Sequence, residues 1–294
     1  MIEYMLDELT FKLIILVVGY LVLGFTTGTY GVLIGAGGGF ILAPVLILFF
    51  NLDPYVAVGT SLALVTINSF SGAWAYHRKH MIDYRSGIIS GLLSIPGAVI
   101  APIFLQTVPQ DIFKILFGVL LVSLSIYMFL RKNLNDLPTH NAIENSVPEL
   151  RFIKSRYINT QNNEKYVYQV HELGLGIVNV FLGFVSSFFG TGGGFLRTPI
   201  LVYGFHFPIK IAVATSIFSL CIYTTLGSIT YAYLGNIQFF PTLVCAGAGL
   251  MVGGQVGAWI SQKIEGVWIL RLLLVVVLIL GIQLFLEGFK INII

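Results

Sequence analysis

Charge is what this sequence has least of. Asp, Glu, Lys and Arg together make up 10% of its 294 residues, against roughly 25% in a soluble domain. Eleven of those charges are gathered between 131 and 172, and the remaining positions cannot furnish a water-facing exterior. That excludes a soluble enzyme and a disordered protein. Cysteine is scarce too: Cys221 and Cys245 both lie in apolar runs, which argues against a secreted disulfide scaffold. The 16 basic residues are scattered among loops and form no stripe, so nucleic acid is not an expected partner. No Gly-x-Ser-x-Gly, His-Glu-x-x-His or P-loop occurs; the expectation is no enzyme, no catalytic residue, no metal site and no cofactor. The leader Met1 to Thr10 holds Glu3, Asp7 and Glu8 and no basic residue, the wrong charge for a signal peptide, and is expected to belong to the mature chain.

What is present is apolar. Hydrophobic residues account for 56%, arranged in runs at 13–34, 40–50, 56–76, 84–105 and 111–130, then 173–189, 195–205, 211–234, 239–260 and 267–286. A crossing helix needs about 20 such residues, so the expected fold is an all-α polytopic integral membrane protein with membrane lipid around it. The expected organisation is a first repeat over 1–130, a polar linker over 131–172 and a second repeat over 173–294.

The five-run pattern occurs twice, and the residues repeat with it. Gly35-Ala36-Gly37-Gly38-Gly39-Phe40-Ile41-Leu42-Ala43-Pro44 matches Gly190-Thr191-Gly192-Gly193-Gly194-Phe195-Leu196-Arg197-Thr198-Pro199. At the same spacing Ala57-Val58-Gly59-Thr60-Ser61 matches Ala212-Val213-Ala214-Thr215-Ser216. The chain is an internal duplication.

Lysine and arginine orient such a chain, because cytoplasmic loops carry more of them. Arg78, Lys79, Arg85, Arg131, Lys132, Arg151, Lys154, Arg156, Lys165, Lys210, Lys263 and Arg271 fall on one face; Lys12, Lys114 and Lys290 fall on the other. This predicts a cytoplasmic linker and both termini outside, in the plasma (cytoplasmic) membrane. The halves are then inverted repeats, each with an odd number of crossings, six to ten in all. The second run of each half spans about 16 Å as a helix against a 30 Å core. It is either a crossing or one arm of a re-entrant hairpin.

Three glycines in a row should interrupt a span, since each costs about 1 kcal/mol in a helix interior. An interruption at that depth has to line a cavity or be covered by protein. A short helix is expected after each break, so Gly37, Gly38, Gly39, Phe40, Gly192, Gly193, Gly194 and Phe195 are candidates for an anion site built on backbone N–H groups. The alternative is close helix packing on small residues. Arg197 is the one ionisable residue clearly interior to an apolar run, where it costs at least about 2.5–3.5 kcal/mol unless paired or hydrated. No acidic residue lies in a membrane run to pair it, and a transported anion could be the missing partner; snorkelling to the surface is the alternative. Leu42 holds the matching place in the first half. Thr60, Ser61, Thr215, Ser216, Gln255 and Asn68 are further candidates, as hydroxyls and amides able to meet anion oxygens, or as residues bonded to helix backbone. His77-Arg78-Lys79-His80 reads as an ordinary basic loop.

The paired Gly-x-Gly-Gly-Gly-Phe…Pro segments, each followed by Ala-Val-(Gly/Ala)-Thr-Ser, resemble the sulfite exporter TauE/SafE family, also called the toluene sulfonate uptake permease family. The resemblance covers roughly 13–130 and 173–286. It implies a permease for sulfur-containing anions such as sulfite, sulfoacetate and other sulfonates. The residues alone support any small oxyanion, carboxylates included. The expected function is a secondary transporter, an exporter by the resemblance, working by alternating access; an anion channel or a non-transporting membrane scaffold are the alternatives. Coupling to a proton or cation is left open, with no buried carboxylate to mark a relay, and nothing sets an oligomeric state.

Overall fold

The computed structural model describes residues 2–130, 153–161, 165–261 and 267–290. Arg131, Lys132, Arg151 and Lys263 of the charge count lie outside them. In chain order the elements are α1 (Ile2–Ile34), α2 (Gly39–Leu48), α3 (Pro54–Arg78), α4 (Tyr84–Leu105), α5 (Gln110–Leu130), β1 (Ile153–Asn159), β2 (Lys165–His171), α6 (Glu172–Phe188), α7 (Gly194–Pro199), α8 (Ile209–Tyr233), α9 (Val244–Ile260) and α10 (Val267–Gly288). A wide π turn, Ile200–Gly204, continues α7, and another, Phe239–Leu243, leads into α9. The protein is an all-α polytopic membrane protein with one hairpin added. Among the described residues five segments are long and apolar enough to cross a bilayer: Thr10–Ile34, Pro54–Arg78, Tyr84–Leu105, Ile209–Tyr233 and Phe239–Ile260.

The helices begin where the sequence allows it. Asp53 caps α3 through Tyr55 N with Pro54 in the first turn, and Asp83 caps α4 through Ser86 N, each satisfying a donor the helix itself cannot. The outward faces carry large apolar side chains such as Phe70, Trp74, Ile100 and Phe181. Lipid offers no hydrophobic drive between helices, so close backbone approach on small residues replaces it. Along α1 and α9, Gly24 lies against Ala246, Gly28 against Leu250 and Gly257 against Thr29, so the two helices run side by side in one direction. Along α4 and α6, a Cβ on Gly97 would sit 2.5 Å from Phe184 N.

The α4–α6 pair is the counterpart of α9–α1 in the other half, and the same exchange runs through the centre. Ser61 Oγ donates to Gly190 O at 2.9 Å, and Ser216 Oγ donates to Gly35 O at 2.9 Å. Thr60 Oγ1 accepts from Gln238 N at 2.9 Å, and Thr215 Oγ1 accepts from Asp83 N at 3.0 Å. Every residue in each bond is replaced by its repeat counterpart in the other. Such reciprocity, residue for residue, is the signature of a two-fold relation.

β1 and β2 pair antiparallel, Ile153 opposite His171 and Asn159 opposite Lys165. The alternating Tyr166, Tyr168 and Val170 are buried. The stretch expected as a plain polar connector therefore includes a docked hairpin. Residues 165–171 bury every second position, the period of a strand and not of a helix. The hairpin end of the molecule holds Lys79, Arg85 and Arg156; the opposite end holds the Lys114–Glu287 and Lys290–Asp111 pairs at 2.6 and 3.5 Å.

Candidate functional site

Both glycine breaks are buried and meet at the centre. Gly37, Gly38, Gly192 and Gly193 take left-handed φ values between 67° and 89°, a region open to glycine at no steric cost, and α2 and α7 start directly afterwards. A Cβ on Gly39 would stand 2.6 Å from Gly190 O, and one on Gly194 would stand closer still to Gly35 O. The Phe40 and Phe195 rings touch across the junction, centroids 5.6 Å apart. Val65 packs against Gly37, Gly39 and Gly192 alike. Asn68 Nδ2 donates to Gly37 O at 3.0 Å, and Tyr223, its repeat counterpart, donates its hydroxyl to Gly192 O. Among the described residues no acceptor faces the N–H groups of Gly39 and Phe40.

The hydroxyl candidates are present but engaged. Ser61 and Ser216 are directed at break carbonyls of the opposite half, and Thr60 and Thr215 hold loop N–H groups at the ends of the bundle. Gln255 is not brought to the junction: it lies on an exposed face of α9 and its amide donates to Ser71 O at 2.8 Å. In the basic loop, His77 Nδ1 meets Tyr84 OH at 2.5 Å. Lys79 Nζ donates to Ala258 O at 2.5 Å, and burial pulls its ammonium below the usual lysine range.

Arg197 is 1% exposed, so it does not snorkel. Its Nε donates to Asn179 Oδ1 at 2.7 Å and its Nη2 to Ser94 Oγ at 2.8 Å. Its guanidinium carbon stands 4.6 Å over the Tyr223 ring, close enough for cation–π attraction. Asn179 is itself held by Leu175 O at 2.7 Å and Ser90 Oγ at 3.2 Å. Ser186 Oγ lies 3.1 Å from Tyr223 OH. Three elements, α4, α6 and α8, thus hold one edge of the guanidinium, and every group that does so is neutral. The Nη1 atom is buried with no hydrogen-bond partner among the described residues. Asn179, Ser94 and Tyr223 escape sequence reasoning because single polar residues in apolar runs have no period. Tyr223 alone left a trace, by falling opposite polar Asn68 in the repeat.

A charged donor with free N–H groups, buried beside paired helix breaks in a duplicated helical bundle, defines a membrane-transport architecture. The model of the sulfite exporter TauE/SafE family matches residues 20–284, and the chain belongs to that family. It is 31% identical over 275 residues to the probable membrane transporter protein YunE of Bacillus subtilis, covering 91% of this chain and 96% of that one. It is 27% identical over 275 residues to a probable membrane transporter protein of Methanocaldococcus jannaschii, covering 89% and 92%. No solved structure matches. The protein is accordingly a multi-pass membrane transporter.

Proposed function

We propose that the protein is a secondary transporter of a small sulfur-containing oxyanion, sulfite or an organosulfonate, with Arg197 as the residue that meets the anion's charge. The observation that carries this reading is the partnerless Nη1 of a fully buried arginine whose other contacts are all neutral. Buried charges are paired, or they shift the equilibrium to be so, and an oxyanion completes the guanidinium's fork geometry. The family description supplies the preference for sulfur.

Alternating access between inverted halves fits the exchanged contacts. The α1–α2 and α6–α7 segments act as re-entrant arms from opposite faces, because each turns back at its glycine break: Tyr20 of α1 stacks on Phe50 beyond α2, ring centroids 4.4 Å apart, and a Cβ on Gly174 of α6 would stand 3.5 Å from the Phe205 ring beyond α7. That leaves three crossings per half. The face with the hairpin is the cytoplasmic one on the lysine and arginine count. A negative interior then favours anion exit, consistent with export. Closure of the centre by Val65 and the two phenylalanines suits a carrier between its open states better than an open pore.

The test is counterflow of labelled sulfite and methanesulfonate in proteoliposomes. Arg197→Ala should lower flux by about 10- to 150-fold, the equivalent of losing one charged hydrogen bond worth about 1.5–3 kcal/mol. Undiminished flux in correctly folded Arg197→Ala protein sinks the proposal.

A further inference from the structure

The Arg197 site holds one positive charge and no means of adding a second. From this we infer that the site accepts a singly charged oxyanion head, a sulfonate, bisulfite or carboxylate, and rejects dianions of the same size such as sulfate. The inference rests on the reading that Arg197 meets the transported anion.

Arginine stays protonated in proteins, so the charge of the empty site is fixed. Among the described residues Arg197 is the one cationic side chain in the buried set. The two-fold relation does not supply another, because Leu42 stands where a second arginine would. Its neighbours have little left to give. The single Ser94 hydroxyl proton is directed at Ser90 O and Asn179 O, 2.7 and 2.9 Å away. Both protons of the Asn179 amide face Leu175 O and Ser90 Oγ, and the Tyr223 hydroxyl is on Gly192 O. Among the side chains gathered around the guanidinium, the free donors that remain are those of Arg197 itself.

A monoanion on Nη1 therefore leaves the buried site neutral. A dianion leaves one uncompensated negative charge in a low-dielectric interior, where such a charge is expelled, neutralised by a proton or matched by a cation. Selection is by charge first and by the identity of the central atom second. The same balance makes the loaded carrier electroneutral in its moving part and the empty one positive.

Purified full-length protein is titrated with methanesulfonate, acetate and sulfate at constant ionic strength, reading thermal stabilisation, which reports ligand bound to the folded state. Sulfite is titrated at several pH values above and below its second ionisation. The expected result is saturable stabilisation by methanesulfonate, at least tenfold weaker stabilisation by sulfate, and an apparent sulfite affinity that falls about tenfold per pH unit once the dianion predominates. Methanesulfonate affinity should stay flat over that range. Asn179→Asp sets a carboxylate against Arg197 and neutralises it internally; the variant should fold and lose methanesulfonate binding, and Arg197→Lys should keep the preference for monoanions. Sulfate binding as tight as methanesulfonate, lost in Asn179→Asp, overturns the charge rule and leaves the site standing. Binding of any anion that survives Asn179→Asp, or no binding at all, overturns the site reading itself.

Discussion

Arg197 and its neutral shell show how a membrane interior holds a charge without cancelling it. Asn179 Oδ1 and Ser94 Oγ turn lone pairs toward the guanidinium and are themselves fixed by backbone carbonyls. Removing Asn179 leaves Nε unpartnered in an apolar setting, so Asn179→Leu should lower stability by about 1.5–3 kcal/mol, the range for a hydrogen bond to a charged group. Detergent-phase thermal unfolding checks this, and a change well below 1 kcal/mol would mean the bond contributes nothing net. Arginine in an apolar run is conspicuous, which is why Arg197 was legible in the sequence. The residues that hold it come from α4, α6 and α8, more than 80 positions apart along the chain between Ser94 and Asn179, and no local pattern links them. The glycine breaks were legible for the same reason as Arg197, being composition out of place. Their role in the contact between halves was not, because the closest neighbours of Gly35, Gly190, Gly192 and Gly194 belong to the other repeat.

At the scale of elements, the β1–β2 hairpin ties the halves together at one face. Arg156 reaches Asp83 at 3.5 Å and also Glu172, while Arg85 holds Glu172 from the other side at 2.9 Å. Tyr168 OH donates to Asp83 Oδ2 at 2.9 Å, and its ring packs on Phe207, centroids 4.7 Å apart. Asp83 and Arg85 belong to the first repeat, Glu172 opens α6 and Phe207 belongs to the second repeat. Burial, with the Asp83 carboxylate beside it, pushes the Tyr168 phenol well above the usual tyrosine range. A raised folded-state pKa stabilises the protonated form. That contribution is complete below about pH 10, the ordinary tyrosine value, and is lost as pH climbs beyond it. Hydrogen exchange in 165–171 should therefore accelerate above about pH 10 by more than the intrinsic rate, and Tyr168→Phe should remove the excess while loosening the hairpin at neutral pH. The signal for these strands was in the sequence as the alternation of Lys165-Tyr-Val-Tyr-Gln-Val-His. Set among charged residues and too short for a span, the same seven positions also fit a polar connector.

For the whole molecule the decisive property is the relation between the halves. Duplication alone permits two parallel copies as readily as two inverted ones. Exchange of Ser61–Gly190 for Ser216–Gly35 relates them by a two-fold, and the opposed ends at which Lys114–Glu287 and the hairpin sit set the linker against the carboxyl-terminal helix. If the axis lies in the membrane plane, residue 161 in the hairpin turn and residue 290 after α10 face opposite sides. Both native cysteines are free and buried, so a background with Cys221 and Cys245 replaced can carry one new thiol at a time. Gln161→Cys in intact cells should resist a membrane-impermeant maleimide and react after permeabilisation, and Lys290→Cys should react from outside at once. Labelling of both from the same side would put the axis along the membrane normal and remove the inverted-repeat mechanism. The junction gives an independent check on the same geometry. Gly39→Ala and Gly194→Ala each drive a methyl onto a break carbonyl of the other half. Each should cost about 1–3 kcal/mol by overpacking, and the two effects should be similar in size if the halves meet symmetrically. A large effect in one and none in the other would mean that only one break bears the contact between the halves.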